Sequence, residues 1–192
     1  MNFPISLRPL YLKDLDDYIH WMHPSRKFHE YDAPYFSQIS EEELLDYKET
    51  LRSKLLQSTP EILHTKKMIV DSHNDALIGQ VTRYWKSRET LWMEFGIIIF
   101  NEEYWGLGIG KQALTLWVDE LFATYPDIVR LGCSTWSGNL RMIRLAESLG
   151  FVKEAVYRKA RIVRGEYYDS LSYGIMREEW LRLRQDMSLH ST

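Results

Sequence analysis

The chain reads as a mixed α+β fold, a mostly antiparallel sheet interrupted by one parallel βαβ crossover. Three features predict this. Two helical patterns near the start precede three strand-like runs at meander spacing. An order of strand, glycine loop, helix and strand then occupies Leu91 to Trp136. A helix and a long hairpin close the chain. At 192 residues and 45% hydrophobic, it can bury one sizeable core and is expected to form a single domain, residues 1–192.

The elements follow in order. Ile5-Ser6-Leu7-Arg8-Pro9 alternates apolar and polar residues and stops at proline, which suits a short edge strand. Asp14 is placed to cap a helix with the stripe Leu15, Tyr18, Ile19 and Met22, and Pro24 ends it. From Ser25 to Gln38 runs a loop carrying the rings of Phe28, Tyr31, Tyr35 and Phe36 and the carboxylates Glu30 and Asp32. Such a loop is either a binding surface or a cover of rings folded over the core. Ser40 and Glu43 have capping-box spacing, opening a helix with Leu44, Tyr47, Leu51 and Leu55 on one face that stops before Pro60.

The period then changes. Lys66 to Asp71 and Ala76 to Trp85 read as strands about a Ser72-His73-Asn74-Asp75 turn, and a third runs from Leu91 to Phe100 after the polar turn Lys86-Ser87-Arg88-Glu89. Leu114, Trp117, Val118, Leu121 and Phe122 give an apolar face to a helix from Gly108 to Thr124, and Val129 to Trp136 is the next strand. A helix from Asn139 to Leu149 stops at Gly150. Phe151 to Val163 and Tyr167 to Met176 form a hairpin about Arg164-Gly165-Glu166, and Glu178 to Met187 forms a terminal helix.

Between the third strand and its helix lies Tyr104-Trp105-Gly106-Leu107-Gly108-Ile109-Gly110-Lys111-Gln112. Glycines there allow an anion to approach the unpartnered N–H groups of a helix start, which makes a phosphate cradle. A P-loop is excluded by spacing, because Gly106 and Gly110 enclose three residues and Gln112 stands where a magnesium-binding hydroxyl belongs. A dinucleotide fingerprint is excluded too, since the pattern is G-x-G-x-G and the next strand ends at Trp136-Ser137 without an acid. The remaining alternative is a tight turn with no ligand.

Composition removes other classes. A formal net charge of −3 carries no electrostatic footprint for nucleic acid. Cys133 is the lone cysteine, so no intrachain disulfide forms, no zinc spacing exists, and no metal is expected. No run of about 18 apolar residues and no basic-then-apolar leader is present, so a soluble, cytoplasmic protein that does not enter membranes is expected.

Taken together, Leu7-Arg8-Pro9 with Asp14-Leu15, the loop Tyr104 to Gly110, Trp136-Ser137-Gly138-Asn139, the helix-ending pair Gly150-Phe151, and Arg161 through Tyr168-Asp169 into Tyr173-Gly174 resemble the GNAT superfamily of acetyl-CoA-dependent N-acetyltransferases. The order is closest to its ribosomal-protein-acetylating, RimJ/RimL-like branch. The resemblance implies a GNAT-like domain with a splayed, V-shaped cofactor cleft, acetyl-CoA as co-substrate, and as acceptor a small-molecule amine or a protein N-terminus. A homodimer is left open. It implies that the main-chain amides of Trp105, Gly106, Leu107, Gly108, Ile109, Gly110 and Lys111 hold the pyrophosphate, with Trp105 where the family carries Arg or Gln. It further implies that Asn139 and the backbone of Ile97, Ile98 and Ile99 hold the pantetheine arm, the latter as an added strand.

An amine attacks a thioester only as the free base, so a base is needed near neutral pH. Glu94 is the candidate, a carboxylate in an otherwise apolar strand, two residues before Gly96 where many members of the superfamily carry one. The alternative for Glu94 is an ion pair with Arg83 or Lys86. The tyrosine that protonates the leaving thiolate in many members is replaced by Ala146, which leaves Tyr157, Tyr167, Tyr168 or no acid at all. The loop residues Phe28, Glu30, Tyr31 and Asp32 are candidates for holding the acceptor, and Cys133 reads as packing rather than as a nucleophile. A non-catalytic acyl-CoA sensor on the same fold is the competing reading.

Overall fold

The β-branched and alternating runs become seven strands and the stripe-bearing segments five α-helices in the computed structural model, which describes residues 3–57 and 65–189. Pro60, His64 and His190 lie outside them. In chain order these are β1 (Ile5–Arg8), α1 (Leu15–Met22), α2 (Glu41–Leu56), β2 (Lys66–Asp71), β3 (Leu77–Ser87), β4 (Trp92–Ile99), α3 (Ile109–Thr124), β5 (Arg130–Trp136), α4 (Leu140–Ser148), β6 (Val152–Val163), β7 (Glu166–Met176) and α5 (Arg177–Leu189). The strands form one sheet ordered β1-β2-β3-β4-β5-β7-β6. The pairings of β1 with β2, β2 with β3, β5 with β7 and β6 with β7 are antiparallel, and β4 with β5 is parallel. That is the mixed fold with a single crossover.

Chain contacts gather into two compact units, Met1–Thr82 with Ile97–Leu114 and Arg83–Gly96 with Thr115–Thr192; β3, β4 and α3 run from one to the other. In the first, α1 and α2 supply Leu15, Tyr18, Leu44 and Leu51 to a core that also takes in Met68 and Val70 of β2 and Phe100. The capping box of α2 forms as its spacing requires: Glu43 N donates to Ser40 Oγ at 3.1 Å, and Ser40 N donates back to Glu43 Oε2 at 2.7 Å. Asp14 does not cap α1 with its side chain. Its carboxylate instead accepts from Arg8 Nη1 at 2.6 Å and from Tyr11 N at 2.9 Å, because a 3-10 turn over Leu12–Asp14 turns it back toward β1.

In the second unit, Met93, Phe95, Leu131, Cys133, Tyr173 and Ile175 are buried together with Trp117, Leu121 and Trp180 from the helices. Arg177, at the start of α5, donates to the carbonyls of Phe122, Tyr125 and Ile128 and so closes the C-terminal end of α3. The β6–β7 hairpin turns on Arg164 and Gly165 alone, with φ of 52° and 84°. Glu166, expected in that turn, is the first residue of β7.

The expected turn at Lys86–Glu89 lies two residues later. Lys86 and Ser87 belong to β3, and the chain reverses through Arg88 and Leu91, closed by Leu91 N donating to Arg88 O at 3.3 Å with Leu91 at φ 54°. Polar side chains here mark the outward face of a strand end rather than its termination.

Candidate active site

The glycine loop belongs to the first unit. A 3-10 turn over Glu102–Tyr104 delivers the chain to Trp105, and Gly106 and Gly108 both take φ of 80°, a left-handed conformation that L side chains rarely adopt. A Cβ built on either glycine would meet nothing within 4 Å, so both glycines are required by the backbone path, and the space above them is open. Gln112 N donates to Gly108 O at 3.1 Å, the first bond of α3. The amides from Gly108 to Lys111 therefore precede the first intrahelical donor. Ile109 is buried, so its contribution to a ligand is its amide alone. Gln112 Nε2 is buried without a hydrogen-bond partner among the described residues, an extra donor in the first turn. Open space, left-handed glycines and a helix start fit a diphosphate.

Trp105 has its own work. Its indole Nε1 donates to Ile99 O at 3.0 Å, and its ring meets Tyr31 edge-on at 5.7 Å. The side chain that replaces the family's Arg or Gln thus ties the loop to the end of β4 and to the aromatic segment. The Ile99 carbonyl thus accepts one bond and keeps a second lone pair, while the Ile98 carbonyl packs against Gly79 of β3. Ile97, Ile98 and Ile99 are partly exposed, whereas Met93, Glu94 and Phe95 just before them are buried.

Glu94 lies in the second unit, where β4 and β5 begin together. Their register comprises Met93↔Leu131 and Glu94↔Gly132, so the parallel ladder ends at Glu94 although β5 continues to Trp136. Only 3% of Glu94 is exposed. Its Oε2 accepts from Tyr84 Oη at 2.6 Å and from Ser134 Oγ at 3.0 Å, and Lys86 Nζ lies 4.0 Å from Oε1. The ion pair weighed for Glu94 is thus present at the limit of contact, and two hydroxyls are its principal partners. The carboxylate borders a cavity of about 460 Å³ that also touches Arg130, Ser134, Tyr157 and Arg161.

Two glycines make room for this arrangement. Gly132 of β5 and Gly174 of β7 sit opposite each other in the sheet. A Cβ at Gly132 would press on the Tyr173 carbonyl oxygen at 2.9 Å and would only touch Glu94 Cγ at 3.6 Å, and a Cβ at Gly174 would meet the flexible end of the Glu154 side chain. Glycine inside a strand often marks such a close approach. Sequence reasoning passed over Tyr84, Ser134 and this glycine pair. The available signal was the pair of glycines within otherwise apolar strands.

The other candidates sort as follows. Asn139 caps α4, its Oδ1 accepting from Met142 N at 3.1 Å. Phe28 is 4% exposed and packs against Phe100 at 5.9 Å, so the ring is part of the core and cannot face an acceptor. Glu30 and Asp32 are exposed. His29 directs Nε2 toward Met22 O at 3.3 Å. Ala146 is buried. Of the three hairpin tyrosines, Tyr157 shares the cavity with Glu94, Tyr168 packs edge-on against Trp136 at 4.8 Å, and Tyr167 is exposed. Burial, with help from the charges of Glu94 and Glu154, pushes the Cys133 thiol up to about 12, which leaves no thiolate for nucleophilic work. Among the described residues no group of three or more His, Cys, Asp or Glu is placed to hold a metal ion, and no helix is long and apolar enough to cross a membrane.

A family model described as the Acetyltransferase (GNAT) domain matches residues 5–152. The SPbeta prophage-derived uncharacterized N-acetyltransferase YokL of Bacillus subtilis is 32% identical over 111 residues, which is 58% of this chain and 61% of that relative's length. Among solved structures, spermidine N-acetyltransferase from Vibrio cholerae, in complex with CoA and spermine, superposes with a TM-score of 0.73 at 22% identity, covering 92% of this chain and 98% of that one. Ribosomal-protein-S5-alanine acetyltransferase from Vibrio fischeri gives a TM-score of 0.73 at 20% identity over 94% of this chain and 97% of that one. At those identities the likeness is one of fold.

Proposed function

Because the chain belongs to the acetyltransferase (GNAT) domain family, we propose that it transfers the acetyl group of acetyl-CoA to a primary amine by direct attack in a ternary complex, as a member of the RimJ/RimL-like branch. The observation that carries this reading is Glu94, a buried carboxylate aimed by two hydroxyls into a cavity where the parallel ladder ends. The co-substrate supplies an activated acetyl group as a thioester. The amides from Gly106 to Lys111, the backbone of Ile97, Ile98 and Ile99, and Asn139 are the groups assigned to hold it, the Trp105 N–H being already given to Glu102 O at 3.0 Å.

Glu94 Oε1 takes the proton of the incoming ammonium, through water, while Tyr84 and Ser134 hold Oε2 in place. The amine nitrogen then bonds the acetyl carbon, the carbon–sulfur bond breaks, and the second proton that the nitrogen sheds on becoming an amide passes to solvent. Tyr157 is the proton donor for the departing thiolate best supported by position, since it borders the same cavity and Ala146 has no proton to give. The buried lone cysteine fits a reducing cytoplasm. Structural neighbours named for spermidine and for ribosomal-protein-S5 alanine support amine acceptors in general.

Ala146 is also the observation that favours the second reading, a non-catalytic acyl-CoA sensor. Calorimetry with acetyl-CoA beside a thiol-release assay on an amine panel separates the two. Turnover that Glu94→Gln lowers most at low pH, where free amine is scarce, supports the enzyme. Binding without turnover on every amine supports the sensor.

A further inference from the structure

The cavity at Glu94 carries a charge pattern that bears on which amine it takes. Arg130 bonds Glu154 across the trough that Gly174 leaves open. The same guanidinium lies 5.3 Å from the centre of the Trp92 ring, and Lys86 Nζ lies 5.8 Å from it, so this ring carries two cations. Arg161 reaches the cavity from β6, just after the bulge where Lys159 turns through φ 54°. The lining therefore holds three cationic side chains, Lys86, Arg130 and Arg161, against two carboxylates, Glu94 and Glu154.

An acceptor must arrive at Glu94 and give up a proton there. Once Glu94 holds that proton, three cations face one carboxylate. A second ammonium group on the acceptor would be repelled throughout the step, while a carboxylate on it would be drawn to Lys86 and Arg130 beside Trp92. Positive surroundings also favour the neutral form of the attacking amine.

Resting on the reading of Glu94 as base, we infer that the acceptor is a small amino acid-like molecule, a primary amine that carries a carboxylate, and that Lys86, Arg130 and Arg161 select it against polyamines. Ser134, Ser170 and Ser172 complete the lining with neutral hydroxyls. The volume of about 460 Å³ admits a molecule of that size.

The test uses the full chain with saturating acetyl-CoA and acceptors of matched length: a linear amino acid, its carboxamide, the corresponding diamine, spermidine, and a peptide with a free N-terminus. The amino acid should exceed its carboxamide about tenfold in kcat/KM and the diamine by more. In Arg161→Gln the amino acid to carboxamide ratio should fall toward one, chiefly through KM, and Arg161→Lys should restore part of it. A diamine, spermidine or peptide preferred over the amino acid overturns this inference and leaves the acetyltransferase reading standing. An unchanged ratio in Arg161→Gln and Lys86→Gln also overturns it. Acetylation of none of the amines overturns both.

Discussion

Replacing Gly108 by alanine isolates what the cradle needs. A Cβ there meets nothing within 4 Å, so no steric clash contributes, and the whole cost comes from forcing an L residue to φ of 80°. That conformation costs roughly 1–2 kcal/mol for a non-glycine residue. If the loop keeps its path, Tm should fall by about 2–8 °C, since each kcal/mol shifts a chain of this size by about 2–4 °C. If the loop relaxes instead, the Gly108 peptide rotates and its N–H leaves the cradle. Losing one hydrogen bond to a charged group, about 1.5–3 kcal/mol, then weakens acetyl-CoA binding about tenfold to a hundredfold. The strain must emerge in stability or in affinity. Scanning calorimetry and titration calorimetry on one preparation measure both, and Gly108→Asn should fall between glycine and alanine because asparagine tolerates the left-handed region. Alanine matching glycine in Tm and in affinity would refute the cradle.

Other residues make separate tests. Tyr84→Phe removes the 2.6 Å hydroxyl from Glu94 while leaving the ring, and should lower kcat about tenfold with acetyl-CoA affinity intact; an unaltered pH–rate profile would remove Tyr84 from the orientation of the base. Cys133→Ala should retain turnover, and a thiol reagent near neutral pH should label the wild-type protein only after denaturation, because burial holds the thiol up at about 12; rapid labelling of the native protein would contradict this. Asp75 is held below the usual carboxylate range by hydrogen bonds from Arg8 and Lys13. A depressed folded value gives a stabilisation present above the unfolded pKa of about 3.9 and lost as pH falls through the folded value, so the Tm gap between wild type and Asp75→Asn should close on acidification. A gap that stays constant or widens in acid would show that Asp75 acts through something other than its charge.

The elements were legible because their signals are local. Ser40 and Glu43 form the capping box their spacing announced, the stripe of α1 is buried at Leu15, Tyr18 and Ile19, and Gly150 stops α4 with φ of 83°. Errors occurred where a local pattern served a distant purpose. Lys86 and Ser87 looked like a turn because they are polar, yet Lys86 extends β3 to reach Glu94. Asp14 had the composition of a cap, but Arg8 claimed its carboxylate. Phe28 took the second of the two courses open to its loop and packs in the core.

Fold class, family, the glycine loop and the single odd carboxylate of β4 were all legible in the chain's residues, because hydrophobic period, turn chemistry and motif spacing are written within a few residues of one another. What Glu94 does with its two oxygens is set by the assembled sheet. Tyr84 stands ten residues before it and Ser134 forty after, and strand pairing alone brings them together. The same pairing sets Gly132 opposite Gly174 and opens the space in which cations and carboxylates meet. Side-chain contacts across strands depend on register, and register is a property of the whole sheet.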